Sequence, residues 1–376
     1  MLNTMFPTIN RESSMLGFGC MRFPTTPDDK IDESEAIRMI RHAIDNGVRY
    51  IDTAYPYHGG ESEVVVGKAL KDGYREKVIL TTKLPVWLVK THEDMMKFLD
   101  EQLKKLDTPY VDFYILHAMN NERMDAMQKL DYKRFYAEAI AQGKVRYPGF
   151  SFHDDAKAFL RILHDWDQWG MCQVQMNILD DENQATLEGI REAGRRGVGV
   201  VVMEPLRGGL LANPPVDVKA VYDAYAVRRS PVEWGFRYLY AMPEVITILS
   251  GMSTWAQVTD NLRIFDMAKR PTLTDEELAL YQKVKATYLA RTKTRCTGCK
   301  YCQPCPMGVQ IPRIFQGYDA AMLRADSSFK AGYAQIQADH ADASQCIHCR
   351  KCERVCPQHL PITRFLEEIH AASAAE

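Results

Sequence analysis

A closed parallel (β/α)8 barrel followed by a small, mostly α-helical, cysteine-rich domain is the fold this 376-residue chain predicts. Two observations carry that expectation. From residue 15 to about 270, short apolar runs rich in β-branched and aromatic residues alternate eight times with longer charged stretches of helical period. Beyond that, eight of the ten cysteines fall in two short runs, CTGCKYCQPCP (Cys296 to Pro306) and CIHCRKCERVCP (Cys346 to Pro357).

The strand-like runs are, in order, MLGFGCM (15–21), VRYIDTA (48–54), VILTTK (78–83), VDFYILH (111–117), VRYPGFS (145–151), CQVQMNI (172–178), VGVVVMEP (198–205) and VITILSG (245–251). Between the first two lies DESEAIRMIRHAIDNG, where Ala36, Ile37, Ile40 and Ile44 recur at helical spacing and Gly47 supplies a C-terminal stop. Strand then helix, repeated eight times, is the pattern of a closed parallel barrel. A doubly wound Rossmann sheet is disfavoured, because Gly17-x-Gly19 is followed by Arg22 where the third glycine of the phosphate fingerprint belongs. After Pro271, Thr274 and Glu277 form a capping box opening a helix with Leu278, Tyr281, Val284 and Tyr288 on one face. The segments IPRIFQGYDAAML and FKAGYAQIQ also read as helical. The expected division is residues 1–272 for the barrel and 273–376 for the helical linker and cysteine-rich domain.

Composition narrows the function. At 46% hydrophobic, the chain has enough apolar content for a large core, and its net charge of −2 supplies no positive field for nucleic acid or an anionic membrane. No apolar run approaches the ~20 residues of a membrane span. The leading MLNTMFPTINRESSML has neither the basic start nor the apolar stretch of a signal peptide, so a cytoplasmic location is expected. Dense cysteine runs in a reducing compartment point to metal ligation rather than to a disulfide framework. Cys20 and Cys172 stand apart and read as buried, inert thiols.

In a barrel of this kind the chemistry sits at the C-terminal ends of the strands. Asp52 ends VRYID, Tyr57 follows five residues later, Lys83 ends VILTTK, and His117 ends VDFYILH. Each has an ordinary explanation: a strand-end Asp caps a helix, a Tyr packs, a Lys snorkels, a His is satisfied in the core. Together they form a chemical unit. A phenol with an unperturbed pKa near ~10 is a poor proton donor at neutral pH unless a cation stabilises its phenolate. Lys83 is the expected cation, Asp52 its anchor, and His117 the group that orients a carbonyl oxygen beside the Tyr57 hydroxyl. The reaction this suits is hydride delivery to a carbonyl carbon while Tyr57 protonates the oxygen.

With the motifs IDTAYPY, TTK, DFYILH, GKVRYPGFS and EPLRGGL, the chain resembles the aldo-keto reductase family over nearly the whole barrel. The resemblance implies a catalytic tetrad of Asp52, Tyr57, Lys83 and His117. It implies further that Ser151 and Gln173 hold the nicotinamide carboxamide and that Leu206 and Gly208 lie along the pyrophosphate. The segment LSGMSTWAQVTDN, with Ser250, Gly251, Ser253 and Gln257, resembles the family's adenosine-phosphate loop, and Asn261 takes the adenine-contacting position. Three departures stand out. Phe152 replaces an Asn that helps hold the carboxamide, Met203 stands where many members stack a tyrosine, and Ser250 to Gln257 contains no Lys or Arg for a 2′-phosphate. NAD(H) is thus as well supported as NADP(H). A bound flavin such as FMN stays open, because the loops after strands 7 and 8 offer a general phosphate site. Trp87, Phe152, Tyr55 and Met21 are candidates to line an apolar substrate pocket.

CIHCRKCERVCP matches the bacterial ferredoxin spacing, in which three close cysteines wrap one [4Fe–4S] cube and the fourth reaches to another. CTGCKYCQPCP has two residues rather than three before its last cysteine. By the ferredoxin rule, Cys296, Cys299, Cys302 and Cys356 bind one cluster and Cys346, Cys349, Cys352 and Cys305 the other. Tetrahedral zinc is the alternative, although zinc sites usually split their ligands into two separated pairs. Lys293, Arg295, Lys300, Arg350, Lys351 and Arg354 surround the runs, either offsetting cluster charge or forming a docking patch for an acidic electron carrier such as a ferredoxin or flavodoxin.

The expected protein is an oxidoreductase acting on a small carbonyl or alcohol, with two [4Fe–4S] clusters relaying electrons to or from a partner. Nicotinamide moves two electrons as hydride whereas each cube moves one, so direct exchange needs an intermediary. A flavin-mediated enzyme, or a redox-sensing protein with structural clusters, are the alternatives. The intact tetrad argues against the second.

Overall fold

The computed structural model describes every residue except Thr8, Thr297, Cys299, Pro357, Ala375 and Glu376, together with the side chain of Ala374. The chain divides into two compact units, residues 1–208 with 232–273, and residues 209–231 with 274–376.

The first unit begins with an antiparallel hairpin, β1 (Asn3–Phe6) and β2 (Arg11–Ser14). Eight strands then close into a parallel barrel: β3 (Leu16–Gly19), β4 (Tyr50–Asp52), β5 (Ile79–Leu84), β6 (Val111–Met119), β7 (Val145–Phe152), β8 (Met171–Gln175), β9 (Gly199–Met203) and β10 (Val245–Gly251). Each strand pairs with its sequence neighbours, and β10 pairs with β3 to close the ring. All eight expected strand runs are therefore barrel strands. Helices α1 (Glu33–Asp45), α2 (Ser62–Ala69), α3 (His92–Leu106), α4 (Asn121–Lys129), α5 (Tyr132–Ala141), α6 (Ala156–Asp165) and α7 (Thr186–Arg195) fall between successive strands up to β9. The segment from β9 to β10 carries α8 (Val216–Asp223), which belongs to the second unit, and α9 (Pro231–Tyr240); α10 (Trp255–Ile264) follows β10.

Helix α1 shows how the sequence dictates the ring. Asp32 caps it by accepting from the Glu35 N–H, Ala36, Met39, Ile40, Ala43 and Ile44 are buried, and Gly47 ends it at φ +98°. Inside the barrel, Tyr50, Ile79, Phe113, Ile115, Met171 and Val201 pack into one core, and Phe6 of the hairpin joins them. Gly149 is required there, since a Cβ would stand 2.8 Å from both the Ile115 and Met171 side chains. The hairpin also sends Arg11 to the fully buried Asp112 at the start of β6, which Arg75 and Arg146 reach at 3.0 and 2.8 Å. A buried carboxylate flanked by three guanidinium groups satisfies the pairing that burial demands.

The second unit starts its later part with α11 (Asp275–Arg291), capped reciprocally by Thr274 and Glu277 as the sequence suggests. Its buried face is Leu280, Tyr281, Val284 and Tyr288, whereas Leu278 is 43% exposed. That corrects the expected face at one position: Leu278 lies a half-turn away from Leu280. Residues 209–231, expected within the barrel, group here because α8 packs on α11, with Arg291 Nη1 gripping both Asp217 oxygens at 2.9 and 2.8 Å. Next come α12 (Ile311–Arg324), α13 (Ser328–Ala338), the short α14 (Lys351–Arg354) and α15 (Ile362–Ala374). Val309, Ile314, Phe315, Tyr333, Leu366 and Ile369 lie in their common core, and the described cysteines of the two runs, apart from the exposed Cys349, pack against it. Among the described residues, no helix is long and apolar enough to cross a membrane.

Candidate active site and cysteine clefts

The four strand-end residues converge. β4 ends on Asp52, β5 carries Lys83, β6 carries His117, and Tyr57 opens a short helical turn after β4. The Lys83 Nζ donates to Asp52 Oδ2 at 2.8 Å, to the Thr53 carbonyl at 2.8 Å and to the Tyr57 hydroxyl oxygen at 3.1 Å. An ammonium has three protons, so these partners occupy all of them and fix the group. Because the Tyr57 oxygen already accepts from Lys83, its own O–H is left to donate elsewhere.

Both Asp52 and Lys83 are buried. Burial works against the Lys83 charge, but Asp52 and Tyr57 together outweigh it and raise its pKa above the ordinary value. For Tyr57 the direction corrects the expectation of an acidified phenol. Burial raises its pKa above the usual phenol range, and Lys83 pulls it back only in part. The phenol is thus held protonated, the form a proton donor needs, with a cation in place to stabilise the phenolate when the proton leaves. His117 lies edge-on to Tyr57, ring centroids 6.1 Å apart, and 5.1 Å from the Trp87 ring. Burial, then Lys83, His153 and Arg123, lower its pKa to about 2, so it is neutral at physiological pH. Its Nδ1 is buried without a hydrogen-bond partner, as is Asp52 Oδ1.

The residues expected to hold a nucleotide lie on or after β7, β8, β9 and β10. Ser151, at the end of β7, accepts from the Ala118 N–H at 2.7 Å. Gln173 on β8 turns its Nε2 to Met203 Sδ at 3.8 Å, and its Oε1 is buried without a partner. Leu206 packs its Cδ2 2.6 Å from where a Cβ on Gly235 would lie, and the exposed Gly208 has φ +65°. In the loop after β10, Ser250 Oγ accepts from Asn261 Nδ2 at 2.9 Å, and Gln257 Oε1 caps α10 by accepting from Ser253 N at 2.7 Å. Asn261 and Ser250 therefore face inward, and the Gln257 carbonyl is already engaged. Gly251 is exposed.

A cation reaches this corner from a different loop. Arg22, after β3, lays its stem against Gly251, where a Cβ would meet its Cβ and Cδ at 3.2 Å, and brings Nη2 to 3.5 Å from a Cβ placed on Gly208. Its carbonyl accepts from Ser253 Oγ at 2.8 Å. Sequence reading missed it by scanning only Ser250 to Gln257 for positive charge. Of the pocket candidates, Trp87 joins the site, whereas Phe152 is fully buried against Phe159 at 5.2 Å, Tyr55 sits edge-on to Phe98, and Met21 is exposed. Cys20 and Cys172 are buried with raised thiol pKa values, as inert thiols should be, Cys172 up to about 12.

A family model of the aldo/keto reductases matches residues 15–286. The chain belongs to the aldo/keto reductase family. A second model, of the 4Fe-4S dicluster domain, matches residues 295–360. Relatives of this aldo/keto reductase include the uncharacterized oxidoreductase YqkF of Bacillus subtilis (strain 168), 24% identical over 73% of this chain and 94% of its own length. The probable aldo-keto reductase 1 of Glycine max is 28% identical over 54% of this chain, and the match spans only 59% of the soybean protein. Among solved structures, aldo-keto reductase AKR11C1 from Bacillus halodurans (holo form) superposes with a TM-score of 0.63 at 28% identity, over 76% of this chain and 96% of that one.

The described cysteines of the dicluster domain line two clefts. Cys302, Cys305, Cys346, Cys349 and Cys352 line a cavity of about 300 Å³, with Tyr301, Met307, Ile347 and Val355 among its other walls. Cys296, Cys302 and Cys356 line a second with Phe315 and Leu360. Cys299 lies outside the described residues. Among the described residues no three His, Cys, Asp or Glu side chains converge tightly enough for a single ion. The donors that line both clefts are cysteine thiolates, the ligand type a [4Fe–4S] cube takes. The lead into Cys296 is fixed by the buried Asp319 of α12, whose carboxylate accepts from Lys293 N, Thr294 Oγ1 and Arg295 N at 2.7–2.9 Å.

Proposed function

We propose that this protein reduces a small carbonyl compound, or oxidises the corresponding alcohol, with a nicotinamide cofactor and with Tyr57 as the proton donor. The observation that carries the reading is the saturated Lys83 ammonium, which leaves the Tyr57 O–H free to donate. Bound nicotinamide supplies hydride to the carbonyl carbon. As negative charge grows on the substrate oxygen, Tyr57 gives up its proton, and Lys83 stabilises the phenolate that results. His117, neutral at working pH, donates an N–H that holds the same oxygen. The orphaned Gln173 Oε1 is an acceptor suited to the carboxamide N–H, with Ser151 beside it. Arg22, with the bare Gly208 and Gly251, suits the cofactor's phosphates.

In the dicluster domain, Cys305, Cys346, Cys349 and Cys352 are the proposed ligands of one [4Fe–4S] cube, and Cys296, Cys299, Cys302 and Cys356 of the other, the latter set including one residue outside the described part. We read the clusters as a relay to an acidic one-electron carrier. Exposed Tyr301, Met307, Ile347 and Val355, with exposed Lys300, Arg350, Lys351 and Arg354, support this reading. Because hydride and single electrons do not exchange directly, this relay needs a flavin-type two-electron/one-electron intermediary between the nicotinamide and the clusters.

The test is turnover of an aldehyde panel by anaerobically purified protein with NADH and with NADPH, alongside its visible spectrum. Nicotinamide-dependent reduction with a broad brown absorption is expected. A two-banded yellow spectrum without nicotinamide turnover contradicts the cofactor assignment.

A further inference from the structure

Arg123 is a cation at the edge of the Tyr57 and His117 centre that the proposed reaction does not use. It is the third residue of α4, where the Asn120 side chain accepts from its backbone N–H at 2.8 Å. Its guanidinium carbon lies 5.3 Å from the Trp87 ring centroid, and the same ring lies 5.1 Å from His117. Arg123 Nη1 donates to the carbonyl of Ala118, the residue after His117, at 2.5 Å. Ala118 is itself held, at φ +54°, by the bond from its N–H to Ser151. The guanidinium is therefore tied to the backbone that carries His117.

Its recorded partners, a carbonyl and an indole face, are both uncharged. Asp125 of the same helix pairs instead with Arg161, and Asp154 accepts from Asn121 N at 3.0 Å. Burial lowers the pKa values of both His117 and His153, and the Arg123 charge adds to this at both, at His117 after Lys83 and His153. A half-buried guanidinium with one N–H spent retains a planar edge of donors that matches the two oxygens of a carboxylate.

We propose that Arg123 is a substrate-recognition residue and that the substrate is a carbonyl compound bearing a carboxylate. The carboxylate pairs with the Arg123 guanidinium, Trp87 covers the body of the molecule, and the carbonyl lies at Tyr57 and His117. This rests on the carbonyl-reductase reading above for its reaction, although not for its anion site.

The test compares 4-carboxybenzaldehyde with benzaldehyde as substrates of the full-length, cluster-loaded protein. The wild type should favour the carboxylate by at least tenfold in kcat/KM, mostly through KM. Arg123→Gln should cut that ratio at least tenfold, Arg123→Lys should restore part of it, and Arg134→Gln, which removes an exposed cation on α5, should leave it unchanged. Binding is read separately, without nicotinamide, by quenching of tryptophan fluorescence with 4-(hydroxymethyl)benzoate against benzyl alcohol. The carboxylate should quench, and Trp87→Phe or Arg123→Gln should abolish the effect. Turnover of both aldehydes with equal kcat/KM overturns the substrate class and leaves the reductase reading standing. If neither aldehyde reacts, the reductase reading fails, and the quench decides the anion site alone: equal binding of acid and alcohol overturns it.

Discussion

The Lys83 ammonium and the Tyr57 hydroxyl lie 3.1 Å apart, with the lysine as donor. That direction leaves the tyrosine's own proton uncommitted, in a place where burial keeps it bound. Asp52 completes the arrangement by holding Lys83 from the other side at 2.8 Å.

Removing the cation should harm both folding and chemistry. Lys83→Met leaves Asp52 buried with no counter-ion, which costs about 3–5 kcal/mol when one partner of a buried pair is lost. Urea unfolding should show that loss, and carbonyl reduction should fall at least a hundredfold. Asp52→Asn, which keeps the ammonium, should fall less in activity than Lys83→Met.

Acid should destabilise the barrel through His117. Its pKa is about 2 folded against an ordinary unfolded value near ~6.5, so between these limits the unfolded chain binds the extra proton. The contribution is fully present above about pH 6.5 and is lost as pH falls, at roughly 1.4 kcal/mol per pH unit. Denaturation at pH 6.5 and pH 5 should therefore show a smaller pH dependence in His117→Gln than in the wild type. Activity should show no acid limb from His117 near pH 6.

Arg22→Gln should weaken nicotinamide dinucleotide binding about tenfold or more, as expected for loss of a charge-assisted contact worth about 1.5–3 kcal/mol. Fluorescence titration with NADH gives the Kd directly. Added salt should weaken the wild type more than the variant.

The cysteine sets make separable claims. Cys349→Ala, at the larger cavity, should lower iron and acid-labile sulfide by about half and leave one cubane signal in the reduced protein's electron paramagnetic resonance spectrum. Loss of all iron, or none, contradicts the assignment of that cysteine to one of two cubes.

The barrel was legible because its strands are contiguous apolar runs, each buried on both faces and each separated by a helix. The tetrad was legible for a related reason: three of its members sit at strand ends, a position readable from sequence. What stayed hidden depends on long-range placement. The hairpin segment NTMFPTINRESS is polar and interrupted by Pro7, and its position rests on Phe6, buried against Tyr50 and Phe113, and on Arg11, paired with the distant Asp112. Residues 209–231 follow a barrel strand in sequence, but α8 spends its buried side on α11. Leu278 and Leu280 are both compatible with an apolar face, and the neighbouring helices decide between them. Arg22 and Arg123 lie in segments that look like solvated surface, and nothing local marks a cation that folding brings to Gly251 or to Trp87. The Tyr57 pKa direction is set first by burial, which the sequence does not carry, whereas the opposing cation is readable from it.

Tyr57→Phe tests the central claim most directly, since it deletes the one oxygen assigned to donate the proton and alters no residue of the cysteine clefts. Single-turnover aldehyde reduction by nicotinamide should slow by about 10²–10⁴-fold, the usual worth of a positioned proton donor, while cofactor Kd and cluster content stay at wild-type values. Reduction at an undiminished rate would contradict the account.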